Sequence, residues 1–369
     1  MRKFFRWTAK MTALLLSVVM AISAQTAFAD CDSVPNNSYP EYQCDHIEYL
    51  DDGGRIYVYY IDGIKNSFPV PPDGFDPLIA SDDDLSTYGF PPKPSDQSEL
   101  NEWTELMETY SGTPIPRIVR TDVCFNHSRT AVDSADQESQ GENNRLSTSY
   151  STNWSGYISN LTGINNKYTQ AQVDYKHPTI SSTYGTSSLN VAGYWVGIGG
   201  ENSVSLVQAG TADTGANNSW AWYEYLGPNH MNPAVQLSSL TINPGDNIHV
   251  YIAFSTSAQK FNYYISNSTT GQHASGIVSN LDPSIYYDGS SAEWITEKAS
   301  SYLPNFGSIT MKNCKAMLYT SSTWSNLNSL SGLTKCIMTS NGLSSGTLRC
   351  SPGSVYSSTY FTNTWYNYY

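Results

Sequence analysis

Positive charge is scarce in this sequence. Of its 369 residues 19 are Lys or Arg, against 32 Asp and Glu, for a formal net charge of −13. The basic residues form no patch, and nucleic-acid binding needs a surface of Lys and Arg to displace counterions from phosphates. Nucleic acid is therefore excluded as a partner. Long apolar runs are missing too: beyond the N-terminus nothing approaches the roughly 18 to 20 apolar residues of a membrane-spanning helix. Histidine is dispersed. His177, His230, His249 and His273 stand apart, with no His-x-His or His-Glu-x-x-His spacing, and the six cysteines lack the close pairing of zinc ligands. No metal and no other cofactor is expected.

What is present begins with an export signal. Arg2, Lys3, Arg6 and Lys10 precede a short apolar run from Met11 to Ile22, and Ala27-Phe28-Ala29 fits the small-x-small cleavage pattern. Asp30 before Cys31 argues against a lipid anchor. The expectation is a signal peptide over residues 1–29, cleavage after Ala29, and a secreted, monomeric product free of the membrane. All six cysteines follow that cut, so structural disulfides are expected; the sequence does not assign their pairing.

Charge divides the remainder. Residues 30–145 carry 23 acidic and seven basic residues, a net of −16, whereas residues 146–369 carry nine and eight, a net of −1. Such a break marks two functional parts. The acidic part, residues 30–146, reads as a small mixed α/β propeptide. It has a strand-like run at Arg55 to Ile61 and proline-rich loops. A helix is predicted from Ser98 to about Tyr110, where Leu100, Trp103, Leu106 and Met107 recur at helical spacing before Gly112. The polar stretch Ala131 to Ser151 reads as a linker in which processing is expected.

Residues 147–369, about 220 residues, suffice for one sizeable core. Short alternating runs follow one another, among them Tyr168 to Tyr175, Trp220 to Leu226 and Ile248 to Phe254, punctuated by clusters such as Asn243-Pro244-Gly245-Asp246. The fold class is all-β, a sandwich or barrel.

Several chemistries can be weighed on the residues alone. Gly342-Leu343-Ser344-Ser345-Gly346 formally matches a nucleophile elbow, but no helix is predicted after it, as that motif requires. Asp213-Thr214-Gly215 offers aspartic-peptidase chemistry, which needs two carboxylates sharing a proton; no second such motif exists, although a dimer could supply one. Glu224 and Glu293 could serve a glycosidase, and the Trp and Tyr content would suit a carbohydrate-binding, lectin-like module.

One ordered set of segments narrows the choice: Asn153-Trp154-Ser155-Gly156-Tyr157, Trp195-Val196-Gly197-Ile198-Gly199-Gly200, Val207-Gln208-Ala209-Gly210-Thr211, Trp222-Tyr223-Glu224-Tyr225, Ala292-Glu293-Trp294-Ile295-Thr296-Glu297 and Asn305-Phe306-Gly307-Ser308-Ile309. In order and spacing, over about residues 152–314, they resemble the glutamic peptidases of family G1, the eqolisins. The leader around Tyr88-Gly89-Phe90-Pro91-Pro92 resembles the region upstream in bacterial members. The stretch after Ser321 matches poorly.

The resemblance implies a concanavalin A-like sandwich of two antiparallel sheets with a cleft across a concave face. It also implies a catalytic pair at Gln208 and Glu293, substrate contacts from Trp154, Trp195, Tyr223 and Glu224, and polypeptide substrates. The chain departs from the family in having Gly199 where Asp is usual. Its acidic leader also contrasts with the basic propeptide of fungal members.

Overall fold

From Trp154 onward the predicted alternation becomes strands. Tyr168 to Tyr175, Trp220 to Leu226 and Ile248 to Phe254 fall within the strands Tyr168–Lys176, Ser219–Gly227 and Asn247–Ser255. The structure is a computed structural model. It describes residues 40–125, 146–162, 167–201, 205–216, 218–227, 230–231, 233–255, 257–279, 281 and 289–369. The expected signal peptide and residues 131–145 of the expected linker lie outside this set.

One layer runs, in spatial order, through Val235–Thr241, Ser219–Gly227, Leu206–Thr214, Val191–Gly199, Ser291–Lys298, Trp154–Asn160 and Leu333–Thr339. The other runs through Gln272–Ser279, Lys260–Asn267, Asn247–Ser255, Tyr168–Lys176 and Ser308–Leu318. Strands Leu348–Pro352 and Phe361–Trp365 carry the hydrogen bonding from the first layer round to the second. A single sheet thus doubles over into an all-β sandwich. Its ladders are antiparallel except where Ser147–Ser151 lies parallel to Leu333–Thr339. The Gly342–Gly346 stretch is a turn leading into strand Leu348–Pro352, so the nucleophile-elbow geometry does not arise.

The core between the layers is aromatic. Tyr223 stacks on Tyr263 with ring centroids 4.4 Å apart, and the Trp294 indole N–H donates to the Gln172 carbonyl at 2.8 Å. Each closes polar or π surface against the opposite layer. The outward face of the first layer is buried as well. Trp154, Ile158, Trp195, Leu206, Trp222 and Ile295 form a second cluster there with Val123 and Phe125. All nine residues of Leu206–Thr214 are consequently buried.

Val123 and Phe125 belong to the acidic leader, and from Pro40 onward the described residues form one compact unit with the sandwich. The predicted strand is observed at Arg55–Ile61 and turns back as Ile64–Val70, which pairs with Gln272–Ser279 in the second layer. Ile118–Arg120 pairs with Val235–Thr241 in the first. The predicted helix is observed at Gln97–Glu108, with the Asp96 carboxylate accepting the Ser98 and Glu99 N–H groups as its N-cap. Its Glu99 and Glu102 hold Lys315 of the sandwich at 2.9 and 2.7 Å. Burial pulls the Lys315 ammonium down, but these two carboxylates more than offset it and raise its pKa. Nearby, His273 sits among Phe90, Tyr110 and Tyr264. Burial pushes its imidazole down to about 3.

The expected disulfides are not found among the cysteines Cys44, Cys314, Cys336 and Cys350, which are thiols. Cys44 is exposed on the leader, Cys314 and Cys350 lie in the core between the layers, and Cys336 lies in the outward cluster. Burial pushes the Cys350 thiol up to about 12 and raises Cys314 and Cys336 as well, so none of these three is poised as a nucleophile.

The His273 environment makes leader docking acid-sensitive. Its folded pKa lies below the ordinary value of about 6.5, so the neutral ring's contribution is complete above that value. It is lost progressively as pH falls toward about 3. Between about pH 6 and about pH 5, above the range where carboxylates protonate, amide-exchange protection of helix Gln97–Glu108 should fall about tenfold for the unit of pH, beyond the intrinsic change in rate. His273→Gln should flatten that dependence; an unchanged slope in the variant would place the acid response elsewhere.

Candidate active site

Register places the candidate residues in one row. Glu224 of strand Ser219–Gly227 is the direct partner of Gln208, Gln208 of Gly197, and Gly197 of Glu293. Direct partners on neighbouring strands share a face, so Glu224, Gln208 and Glu293 point to the same side of the first layer. Gln208 and Glu293 are two strand spacings apart, about 10 Å between backbones, with Gly197 between them. A Cβ at Gly197 would press on Trp195, Leu206 and the Glu293 carboxylate, so the missing side chain lets these three groups close over the strand between the two residues.

The Gln208 amide is oriented by its surroundings. Nε2 donates to Glu224 Oε2 at 2.6 Å and to the Phe125 carbonyl at 2.5 Å. Both partners are acceptors, which fixes the nitrogen on that side. Gln208 Oε1 is buried without a hydrogen-bond partner among the described residues.

Trp154 and Trp195 lie on the same face, edge to face at 5.0 Å. Glu297, four residues beyond Glu293 on the same strand, accepts the Trp195 indole N–H at 3.1 Å and the Asn153 amide at 3.0 Å. It fixes the tryptophan pair without belonging to the row. Sequence reading gave Glu297 no role, although its spacing of four from Glu293 puts both on one face of a strand.

Tyr223 is not part of this arrangement. It lies next to Glu224 in sequence and therefore on the other face of the strand, stacked on Tyr263, with its hydroxyl donating to Asn66 Oδ1 at 2.8 Å. Its expected substrate contact is corrected to a core role. Asp213 is also on the inward face. His177 pairs with it at 3.1 Å, the Ser219 hydroxyl donates to it at 2.6 Å, and it is 1% exposed. An aspartic dyad built on Asp213 would lie on the wrong side of the sheet.

The family model for the Peptidase A4 family matches residues 152–354. The chain belongs to this family. It is a glutamic peptidase of family G1 and thus a peptide-bond hydrolase. The match runs past Ser321 into the strands that close the sandwich, where the sequence resemblance was poor. Among solved structures the glutamic peptidase is similar to scytalido-glutamic peptidase with a transition state analog inhibitor: 19% identity, 58% of this chain and 98% of that one covered, TM-score 0.48. It is also similar to SCP-B, a member of the eqolisin family in complex with a tripeptide: 20% identity, 58% and 98% covered, TM-score 0.44. A search of curated proteins finds no match.

The departure at residue 199 has a local cause in this glutamic peptidase. Gly199 has φ +90°, and a Cβ there would run into the Ser205 carbonyl. Gly199→Asp, which restores the residue usual in the family, should lower stability by about 1–3 kcal/mol, measured by urea unfolding. Glu297→Gln should cost a similar amount, about 1–3 kcal/mol, because Trp195 and Asn153 donate to different carboxylate oxygens and one of these becomes an NH2 that cannot accept. It should also alter the near-ultraviolet signal of the tryptophan pair.

Proposed function

We propose that this chain is a secreted acid endopeptidase made as a zymogen, in which Glu293 and Gln208 form the catalytic pair. The observation that carries this reading is the shared face of the two residues, in register on either side of Gly197. The Glu293 carboxylate takes a proton from a water molecule as its oxygen attacks the peptide carbonyl carbon. The carbonyl oxygen gains negative charge and accepts the Gln208 N–H, a donor that does not titrate. Glu293 then returns the proton to the amide nitrogen as the C–N bond breaks, releasing an acid and an amine. A carboxyl with an ordinary pKa near 4.3 cycles between base and acid best in mildly acidic solution.

Support for secretion comes from the N-terminal sequence, and support for a zymogen from the charge break together with the leader strands paired to both layers. Substrate contacts fall to Trp154 and Trp195 on the same face, and Glu224 orients the Gln208 amide.

On processed enzyme, Glu293→Gln should abolish hydrolysis of a quenched peptide in acid at nearly constant shape. Gln208→Ala should cost about a hundredfold or more in kcat. Asp213→Asn should retain catalysis per folded molecule, and statine-type inhibitors should not act. Inactivation by Asp213→Asn with Glu293→Gln spared would reverse the assignment. N-terminal sequencing of active material should find a start between about Ala131 and Ser151; active protein beginning at Asp30 would remove the zymogen.

A further inference from the structure

The last described residues of the leader enter the candidate site itself. After pairing alongside Val235–Thr241, the chain is pinned by the Thr121 hydroxyl, which donates to the Ala234 carbonyl at 2.6 Å, and by the Ala234 N–H, which donates to the Val123 carbonyl at 2.8 Å. It then crosses to Phe125, which is fully buried. The Phe125 backbone meets the polar row on both sides: its N–H donates to Glu224 Oε2 at 3.2 Å and its carbonyl accepts from Gln208 Nε2 at 2.5 Å. Its ring stacks on Trp222 at 3.9 Å and 12°, with Trp220 beside it at 6.1 Å. A Cβ at Gly193 would collide with the ring, so this glycine opens the slot.

A segment serving only to cover the sheet would bury apolar side chains and pair its backbone with a neighbouring strand. Here the peptide group of Phe125 is gripped by Glu224 and by the amide required for an oxyanion. Because Gln208 Nε2 already serves the Phe125 carbonyl and Glu224, a substrate carbonyl can reach that amide only in place of Phe125.

We propose that residues 121–125 are an internal ligand of the active-site cleft, and that the slot filled by Phe125 is the subsite that takes an aromatic side chain of a polypeptide substrate. This rests on the assignment of Gln208 and Glu293 as the catalytic pair. The full chain is latent because its own aromatic residue holds the subsite, and the selected substrate residue is the one whose carbonyl Gln208 binds.

The test uses the full chain carrying Glu293→Gln, with and without Phe125→Ala, titrated with N-acetyl-phenylalanine amide and N-acetyl-alanine amide and followed by tryptophan fluorescence. The phenylalanine amide should bind the Phe125→Ala chain at least about tenfold tighter than the chain retaining Phe125, and the alanine amide should show no such gain. Equal affinities in the two chains, or no preference between the ligands, overturns the proposal. In the chain with Glu293 intact, Phe125→Ala should raise hydrolysis of an aromatic-containing peptide at least about tenfold while the protein mass still shows an uncut leader. Phe125→Tyr should remain latent. Phe125→Leu, a milder change for the case in which alanine unfolds the leader, should fall between. Selective binding together with activity that ignores Glu293 would remove the catalytic pair and leave the internal ligand standing. Glu293-dependent activity of processed enzyme with no selective binding would remove the internal ligand alone.

Discussion

The strand Leu206–Thr214 must be buried on both faces at once, and the rest of the molecule follows from how that is achieved. Its inward residues Val207, Ala209 and Thr211 meet the second layer; its outward residues Leu206, Gln208 and Ala212 meet the leader. Burial of the Gln208 N–H groups is tolerable because both of their hydrogen bonds are made. Glu224 from the neighbouring strand and Phe125 from the leader supply the two acceptors. The polar row is therefore held in place by the same packing that excludes water from it.

Charge plays a smaller part in joining leader to sandwich than the composition suggests. A leader of net −16 beside a domain of net −1 has no opposite field to settle into. Attachment comes instead from two short hydrogen-bonded ladders, the aromatic cluster around His273, and one buried cation, Lys315, shared by two helix carboxylates. These contacts are short-ranged and depend on shape, which suits an acidic leader to a nearly neutral partner.

Much of this was legible in the sequence where local physics dominates. The helix Gln97–Glu108 followed from the spacing of Leu100, Trp103, Leu106 and Met107, and the strand Arg55–Ile61 from its run of β-branched and aromatic residues. The row of Glu224, Gln208 and Glu293 was reached through family resemblance, since nothing local distinguishes a buried Gln from a solvated one. Tyr223 was misplaced because the Trp-Tyr-Glu-Tyr segment was read as a block. The period of two alone puts Trp222 and Glu224 on one side and Tyr223 and Tyr225 on the other. Phe125 received no role from the sequence, since a single aromatic residue without periodicity around it carries no local signal. The disulfides were expected from compartment and count, yet whether two thiols meet depends on tertiary placement, which spacing does not report.

The leader's two ladders have a bearing on the fate of the sandwich. Ile64–Val70 covers Gln272–Ser279, and Ile118–Arg120 covers Val235–Thr241, each the terminal strand of its layer. A sandwich stripped of its leader would present two bare edges, each with a row of unsatisfied N–H and C=O groups. Exposed edges recruit extended chain, whether as strand addition by a peptide or as pairing between copies. Beside the row of Glu224 and Gln208, the Val235–Thr241 edge would offer an incoming polypeptide a backbone template in the direction the leader now takes. The Gln272–Ser279 edge, on the other layer, has no site beside it, and leader loss would leave it open to self-association.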